Sequence, residues 1–382
     1  MTPAWGLTPD QEAFRRRAES FARTCIRPRA AAFDEEEAIP REVFRHCGQQ
    51  GFLGANVGAL YDGSDVDHVR MGLLHYAIGR ACSSLRSILT VHGMVCEVLQ
   101  RWGSAEQRAR WLPRLARGDA LAAFALTEAE AGSDVKAIRT TAVKDGQGYA
   151  LTGEKCWITG GQIADVFLVF ARDDGKDAAY LLDRAASGLT VKPQRAGLGL
   201  RAAMLASMTL ADCLVPPDDR VGPPGFGLDA IAATALDLGR FTVAWGCLGL
   251  AEACLEASLR HADSRTQFGR PLREHQLVGA MLSEMVVGVR AVSLVCLHAA
   301  KLRDSRDEAA LLETCAAKHL AARTCARIAA DAVQVHGAAG CAAGHEAERW
   351  YRDAKVMEII EGSTQLQQTL IARLAYDTMH WE

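Results

Sequence analysis

Three windows near the C-terminus, 229–262, 274–303 and 307–336, each repeat apolar residues at helical spacing with no internal proline, and the third stops at Gly337. Helices of about thirty residues exceed the usual globular range, so they demand long antiparallel partners to cover their apolar stripes. The expected unit is a four-helix bundle, finished by a short helix at 344–358 and a last one at 364–379. It spans 226–382. Upstream the texture differs. "YALTGEKCWITG", "ADVFLVFAR", "DAAYLLD" and "SMTLADCLV" are short apolar or alternating runs bounded by Gly, Asp and Pro, which reads as a small antiparallel β domain over 122–225. Residues 1–121 return to helical periodicity. "TPDQ" at 8–11 is a capping box with Pro9 at the first helical position, and further helices are expected near Pro40, over Asp65–Arg80, and through "VHGMVCEVLQRW" and "AEQRARWLPRLA".

The chain has 382 residues, 49% hydrophobic and 23% charged, with formal net charge −3. That balance offers no basic field for nucleic acid or an anionic membrane and favours small-molecule chemistry. The twelve cysteines contain no CxxC pair and lie mostly in apolar helical runs, as free thiols of a reducing cytoplasm do. "MTPAWGLTPDQEAFRRR" has no apolar core of a signal peptide, and the most apolar long window, 277–300, is interrupted by Glu284 and Arg290. No membrane span is expected.

The chemistry concentrates in "MEIIEGSTQLQQ" (357–368), where Glu361 follows the apolar pair Ile359 and Ile360 and precedes the breakers Gly362, Ser363 and Thr364. A carboxylate against apolar neighbours has a raised pKa and makes a candidate general base. The same letters also describe a solvated helix end, with Ser363 or Thr364 capping the next helix. In the β segment, "FALTEAEAGSD" (124–134) puts Thr127, Gly132 and Ser133 on a loop where backbone N–H groups and hydroxyls can meet a ligand. "CWITGG" (156–161) sets Trp157 beside Thr159.

Taken together, "FALTEAEAGSD", "GEKCWITGG", "SRTQFGRPLREHQLV" and "AVQVHGAAG…ERWYRDAKVMEIIEGSTQLQQTLIAR" occur in an order and spacing that resemble the acyl-CoA dehydrogenase family over essentially the whole chain. The resemblance implies an N-terminal helical domain, a middle β-barrel-like domain and a C-terminal four-helix bundle, with FAD bound between the last two domains and a neighbouring subunit of a homodimer or homotetramer. By matching position, Phe124, Leu126, Thr127, Gly132, Trp157 and Thr159 surround the flavin, and Ser133 meets a flavin phosphate or the thioester carrier. Arg265, Gln267, Phe268 and Gln276 reach FAD, Gln334 and Gly337 meet the adenosine diphosphate half of a neighbour's FAD, and Ser363 and Gln365 touch it after the base. Glu361 falls on the catalytic glutamate, with Gly362 at the thioester. The family's other site for the base falls on Gly239, which cannot serve. Arg240 is placed to orient a polar acyl group or Glu361, or else to pair with Asp237 one turn earlier.

The resemblance also implies a reaction: the base removes the α-proton of an acyl thioester and a hydride passes to the flavin. Departures from the common family pattern at Phe124, Ala129, Ala338, Ile360 and Ser363, together with "CSSLRSILTVHGM" (82–94) and "VAWGCLGL" (243–250), look closer to acyl-carrier-protein dehydrogenases of polyketide pathways making hydroxy- or methoxymalonyl extender units. Arg86 then becomes a candidate for a polar or anionic acyl group, or else a solvated helix charge. The implied partners are an acyl thioester on carrier protein or coenzyme A and an electron acceptor, either electron-transfer flavoprotein or O2. An oxidase or monooxygenase using O2 is the alternative enzyme, and a non-catalytic scaffold of the same fold the third reading.

Overall fold

The computed structural model describes residues 5–146, 148–195 and 197–378. Six helices open the chain: α1 (Pro9–Phe21), α2 (Ala30–Glu36), α3 (Arg41–Gln49), α4 (His68–Ala81), α5 (Ser83–Trp102) and α6 (Ala105–Arg117). Capping boxes start two of them, Thr8 with Gln11 on α1 and Ser104 with Gln107 on α6. The expected helix from Asp65 starts instead at His68, because Asp67 accepts from the Arg70 N–H at 2.6 Å and so occupies the N-cap.

The middle region is one sheet built from β1 (Ala122–Ala125), β2 (Thr141–Asp145), β3 (Gly148–Ile158), β4 (Val166–Asp173), β5 (Lys176–Asp183), β6 (Leu189–Pro193), β7 (Ala206–Val215) and β8 (Arg220–Val221). Its order is β6-β7-β3-β2-β4-β5-β8, with β1 on β4. Most pairings are antiparallel, as the alternating runs imply; β1–β4 and β2–β4 are parallel. The register of β3 against β7 slips between Lys155 and Ile158. This bulge falls on Trp157.

The C-terminal region holds α7 (Ala233–Ser264), a hairpin of β9 (Thr266–Gln267) and β10 (Arg270–Pro271), α8 (Gln276–Ser305), α9 (Ala310–His336), α10 (Glu346–Met357) and α11 (Thr364–Thr378). The long helices are those the periodicity implies, and residue 379 of the last expected span lies outside the described residues. The glycines of "VAWGCLGL" let helices of the first region come close to α7: a Cβ at Gly249 would stand 2.1 Å from the Tyr76 carbonyl oxygen, and one at Gly246 only 2.6 Å from Arg86 Cδ. Two helices, Gly227–Ser264 and Gln276–Ser305, are long and apolar enough to cross a membrane. The first is 94% buried inside the protein over its most apolar stretch, the second 44%. On α8, Leu277, Val287 and Leu294 are exposed.

Candidate active site

Glu361 sits in the loop between α10 and α11 with φ +53°, and Gly362 follows at +95°. A left-handed residue bearing a side chain persists only where its surroundings hold it. Here they do. The Glu361 carbonyl accepts from Gln367 Nε2 at 3.1 Å, the Gly362 carbonyl from Lys318 Nζ at 2.6 Å, and the Glu358 carbonyl from the Thr364 N–H at 2.9 Å. Lys318 and Gln367 are themselves fully buried. The turn aims the carboxylate at α7 over Gly239, where an added Cβ would lie 2.6 Å from Glu361 Oε2 and 3.0 Å from Met94 Sδ and would push the carboxylate aside. The residue that cannot be a base makes space for the one that can.

Burial pushes the Glu361 carboxyl above the ordinary range, and the charges of Arg240, Arg86 and Lys318 act in the opposite direction. Arg86 is fully buried on α5, which removes the reading of a solvated charge. Its guanidinium donates to Thr90 Oγ1 at 3.1 Å and contacts Met357 Sδ at 3.1 Å; among the described residues no carboxylate pairs with it, and its Nε has no acceptor. Of the two readings of Arg240, the local pair with Asp237 does not form. Asp237 instead accepts from Arg303 of α8 at 2.6 Å, and Arg240 Nε is buried without a partner. Thr90 and Thr242 oxygens meet at 3.0 Å across α5 and α7, at the wall of a crevice of about 10 Å³ that Leu238, His75 and Met71 also line. Burial pulls His75 down to about 3, so it is neutral.

The β domain presents a second group. At Trp157, φ is +59° and the indole is 57% exposed; the bulge turns outward a large ring that a regular strand would place by alternation. Its backbone N–H donates to Gln194 Oε1 at 2.9 Å. The loop carrying Leu126 and Thr127 is fastened to this strand by Cys156 N–H donating to the Thr127 carbonyl at 3.0 Å and by the buried Lys155, whose Nζ reaches Leu126 O at 3.1 Å and Glu128 Oε1 at 2.7 Å. The Lys155–Glu128 pair is absent from the sequence reading; the basic letter in an alternating strand looks solvent-facing. Phe124 packs on Phe170 with ring centroids 5.0 Å apart, Thr159 is half-buried, and Gly132 and Ser133 are exposed.

Ser363 and Gln365 line a pocket of about 280 Å³ together with Arg323 and Lys355, two further basic residues that the sequence reading does not single out. The remaining expected positions are elsewhere. Arg265, Gln267, Phe268, Gln276, Gln334 and Gly337 are all exposed, at the end of α7 where His261 stacks on His336 with ring centroids 4.4 Å apart. Along α7 that end is roughly 33 Å from Gly239 at 1.5 Å per residue. One protomer therefore does not bring the two sets together.

Family models for the N-terminal, middle and C-terminal domains of acyl-CoA dehydrogenases match residues 8–119, 123–213 and 225–376 in turn. The chain belongs to the acyl-CoA dehydrogenase family. As an acyl-CoA dehydrogenase-type protein it is an FAD-dependent oxidoreductase acting on acyl thioesters. It is 34% identical over 373 residues to an acyl-CoA dehydrogenase of Bacillus subtilis (strain 168), covering 96% of this chain and 98% of the relative. Among solved structures it resembles FkbI, described as acting in biosynthesis of the methoxymalonyl extender unit of the Fk520 polyketide immunosuppressant, with TM-score 0.87, 36% identity and coverage of 96% and 99%. It also resembles the prolyl acyl carrier protein oxidase AnaB, with TM-score 0.92, 30% identity and coverage of 97% and 99%.

Proposed function

We propose that this acyl-CoA dehydrogenase homologue oxidises a small, polar acyl thioester carried on an acyl carrier protein in secondary metabolism, with Glu361 as the base that removes the α-proton. The observation that carries the reading is the carboxylate of Glu361, turned by a left-handed backbone into the space kept open by Gly239 and raised in pKa by burial. A base with a pKa brought toward neutrality takes a carbon-bound proton more readily than a solvated carboxylate does. Among the described residues the Glu361 backbone N–H has no acceptor, so it is free to donate to the thioester oxygen as the enolate forms. The acyl group is taken as small from the likeness to the methoxymalonyl-pathway protein. It is polar, because Arg86 and Arg240 approach the base without carboxylate partners.

The residues fit FAD. Trp157 offers a flat exposed ring, Phe124 and Leu126 an apolar loop, Thr127 and Thr159 hydroxyls, and Ser133, Ser363 and Gln365 polar contacts, with Arg323 beside the last two and Lys355 there already paired with Glu358. FAD supplies the hydride acceptor when bound. Arg265, Gln267, Phe268, Gln276, Gln334 and Gly337 are assigned to the FAD of a second copy, which the distance along α7 and the apolar exposure of Phe268 and Leu277 support; the assembly is a homodimer or homotetramer. The free cysteines support a reducing, cytoplasmic setting.

The secondary-metabolism assignment is supported by the likeness to the methoxymalonyl-pathway protein, and the carrier assignment, with a second reading of direct O2 use, by the likeness to the carrier-protein oxidase. Anaerobic mixing of the holoenzyme with a panel of short acyl groups, each on carrier protein and on coenzyme A, tests the carrier assignment. Polar short acyl-carrier substrates are expected to bleach the oxidised flavin band fastest. Equal or faster reduction by the coenzyme A thioesters refutes the carrier assignment, and O2 consumption matching product formed identifies the oxidase.

A further inference from the structure

Lys318 projects from the middle of α9 into a site where nothing local explains it. Its side chain is fully buried, its Nζ donates to the Gly362 carbonyl at 2.6 Å, and among the described residues it forms no ion pair. A buried ammonium without a bonded carboxylate is costly to keep, and packing alone is served better by an apolar side chain of the same length. Yet the group it holds is the peptide immediately after Glu361. The charged and titratable groups around it are Cys247 and Arg240 from α7, and Glu358 and Glu361 from the loop between α10 and α11, with Cys315 and His319 on its own helix. Arg86 from α5 completes the set facing Glu361.

We propose that Lys318 is a positioning residue for the base: its ammonium pins the Gly362 carbonyl, which fixes the left-handed turn carrying Glu361, and its positive charge favours the ionised carboxylate. This inference rests on the reading of Glu361 as the base. Two of the three contacts holding the turn come from α11 or its start; Lys318 is the contact that ties it to α9. Without that tie the residue at φ +53° has a lower-energy alternative in the right-handed region. Burial pulls Lys318 itself down to about 8, so it stays charged at neutral pH while keeping little of its hydration.

The test uses the holoenzyme and two variants, Lys318→Met, which keeps the length and removes both donor and charge, and Lys318→Gln, which keeps a donor and removes the charge. Anaerobic stopped-flow reduction by substrate is followed from about pH 5.5 to 9, with FAD content and KM measured alongside. Lys318→Met is expected to retain FAD and KM, to reduce its flavin about 10–10²-fold more slowly at neutral pH, and to move the acid limb of the profile to higher pH. Lys318→Gln should recover part of the rate while keeping the displaced limb, and it carries the test if Lys318→Met does not fold. A wild-type limb in both variants overturns the proposal, as does an equal loss at every pH accompanied by loss of FAD. Glu361→Gln separates the two readings: if it reduces its flavin at the wild-type rate the base assignment itself fails, whereas an inactive Glu361→Gln beside wild-type Lys318 variants sinks only this proposal.

Discussion

The two ends of α7 are built on opposite principles. Near its start, Gly239 lies under a carboxylate whose loop is held by Lys318, Gln367 and Thr364, with three cations approaching from α5, α7 and α9. Near its end, the hairpin after His261 carries Arg265, Gln267 and Phe268 into solvent, Phe268 being 95% exposed. The first end is complete inside one chain. The second leaves an aromatic ring almost wholly in solvent, touched by the edge of His275 at 6.1 Å between ring centroids, which for a large apolar side chain at a hairpin tip marks a surface open to another molecule. On the function proposed above, the difference teaches where each half of the site is determined: the base by packing within the protomer, the outer cofactor contacts by pairing with a second copy.

Breaking the inner end at its reacting atom gives the largest expected effect. Glu361→Gln keeps the shape and the backbone contacts of the turn but leaves no base, so flavin reduction by substrate should fall by about 10²–10⁴-fold while FAD content is unchanged. Glu358→Gln is the matched control, one helical turn earlier, since its side chain pairs with Lys355 at 2.8 Å. Stopped-flow absorbance reads both; a wild-type rate in Glu361→Gln would falsify the assignment. Next comes Gly239→Ala. Its methyl would stand 2.6 Å from Glu361 Oε2, the end of a side chain that can swing aside, so the fold should survive while the carboxylate is displaced. About 10–10²-fold loss of rate is expected, the consequence of a misplacement near 1 Å. Full activity would show that the glycine is there for the α5 packing alone.

The outer end breaks differently. Arg265→Ala and Phe268→Ala should leave single-turnover reduction of FAD-saturated enzyme unchanged, yet weaken FAD retention and subunit association together, each by about tenfold, because a ligand spanning an interface stabilises the associated state. Light scattering against FAD concentration measures the linkage. A fully flavin-loaded monomer, in wild type or variant, would remove the comparison altogether.

Much of the inner end is legible in the letters. The pattern Ile-Ile-Glu-Gly-Ser puts a carboxylate beside apolar neighbours at a helix break, and the long periodic windows give the bundle around it. What is not legible depends on which helix arrives from a distance. Asp237 sits one turn before Arg240, and the local rule pairs them; Arg303 of α8 takes Asp237 instead. Arg86 and Lys318 look like the solvated charges of amphipathic helices, and only the crossing of α5, α7 and α9 buries them. Trp157 is visible as an aromatic on a strand, but its exposure comes from a one-residue slip in register between β3 and β7. Polar groups buried by tertiary packing carry no local periodic signal.

The smallest expected effect sharpens the idea that the inner corner is fixed within one chain. Asp353, on the helix that leads into the Glu361 loop, is buried and accepts from the Leu200 N–H at 2.7 Å, tying α10 to the β domain. Burial pushes its carboxyl up to about 6 from 3.8, with Asp34 adding repulsion and Arg349 and Arg352 opposing the rise. Because the folded pKa lies above the unfolded one, its contribution to stability is fully present below about pH 3.8 and is lost as pH rises through about 6. At neutral pH the native state therefore carries a buried anion, at a cost of no more than about 3 kcal/mol. Asp353→Asn keeps an acceptor for Leu200 and cannot ionise, so its melting temperature at pH 7 should rise by a few degrees, and the difference from wild type should shrink toward pH 5. Activity should change little, since the hydrogen bond that places α10 is retained. Parallel melting curves for the two proteins across that interval would mean that Asp353 is neutralised by Arg349 and Arg352, and that the corner is held by an ion cluster and not by a single buried acceptor.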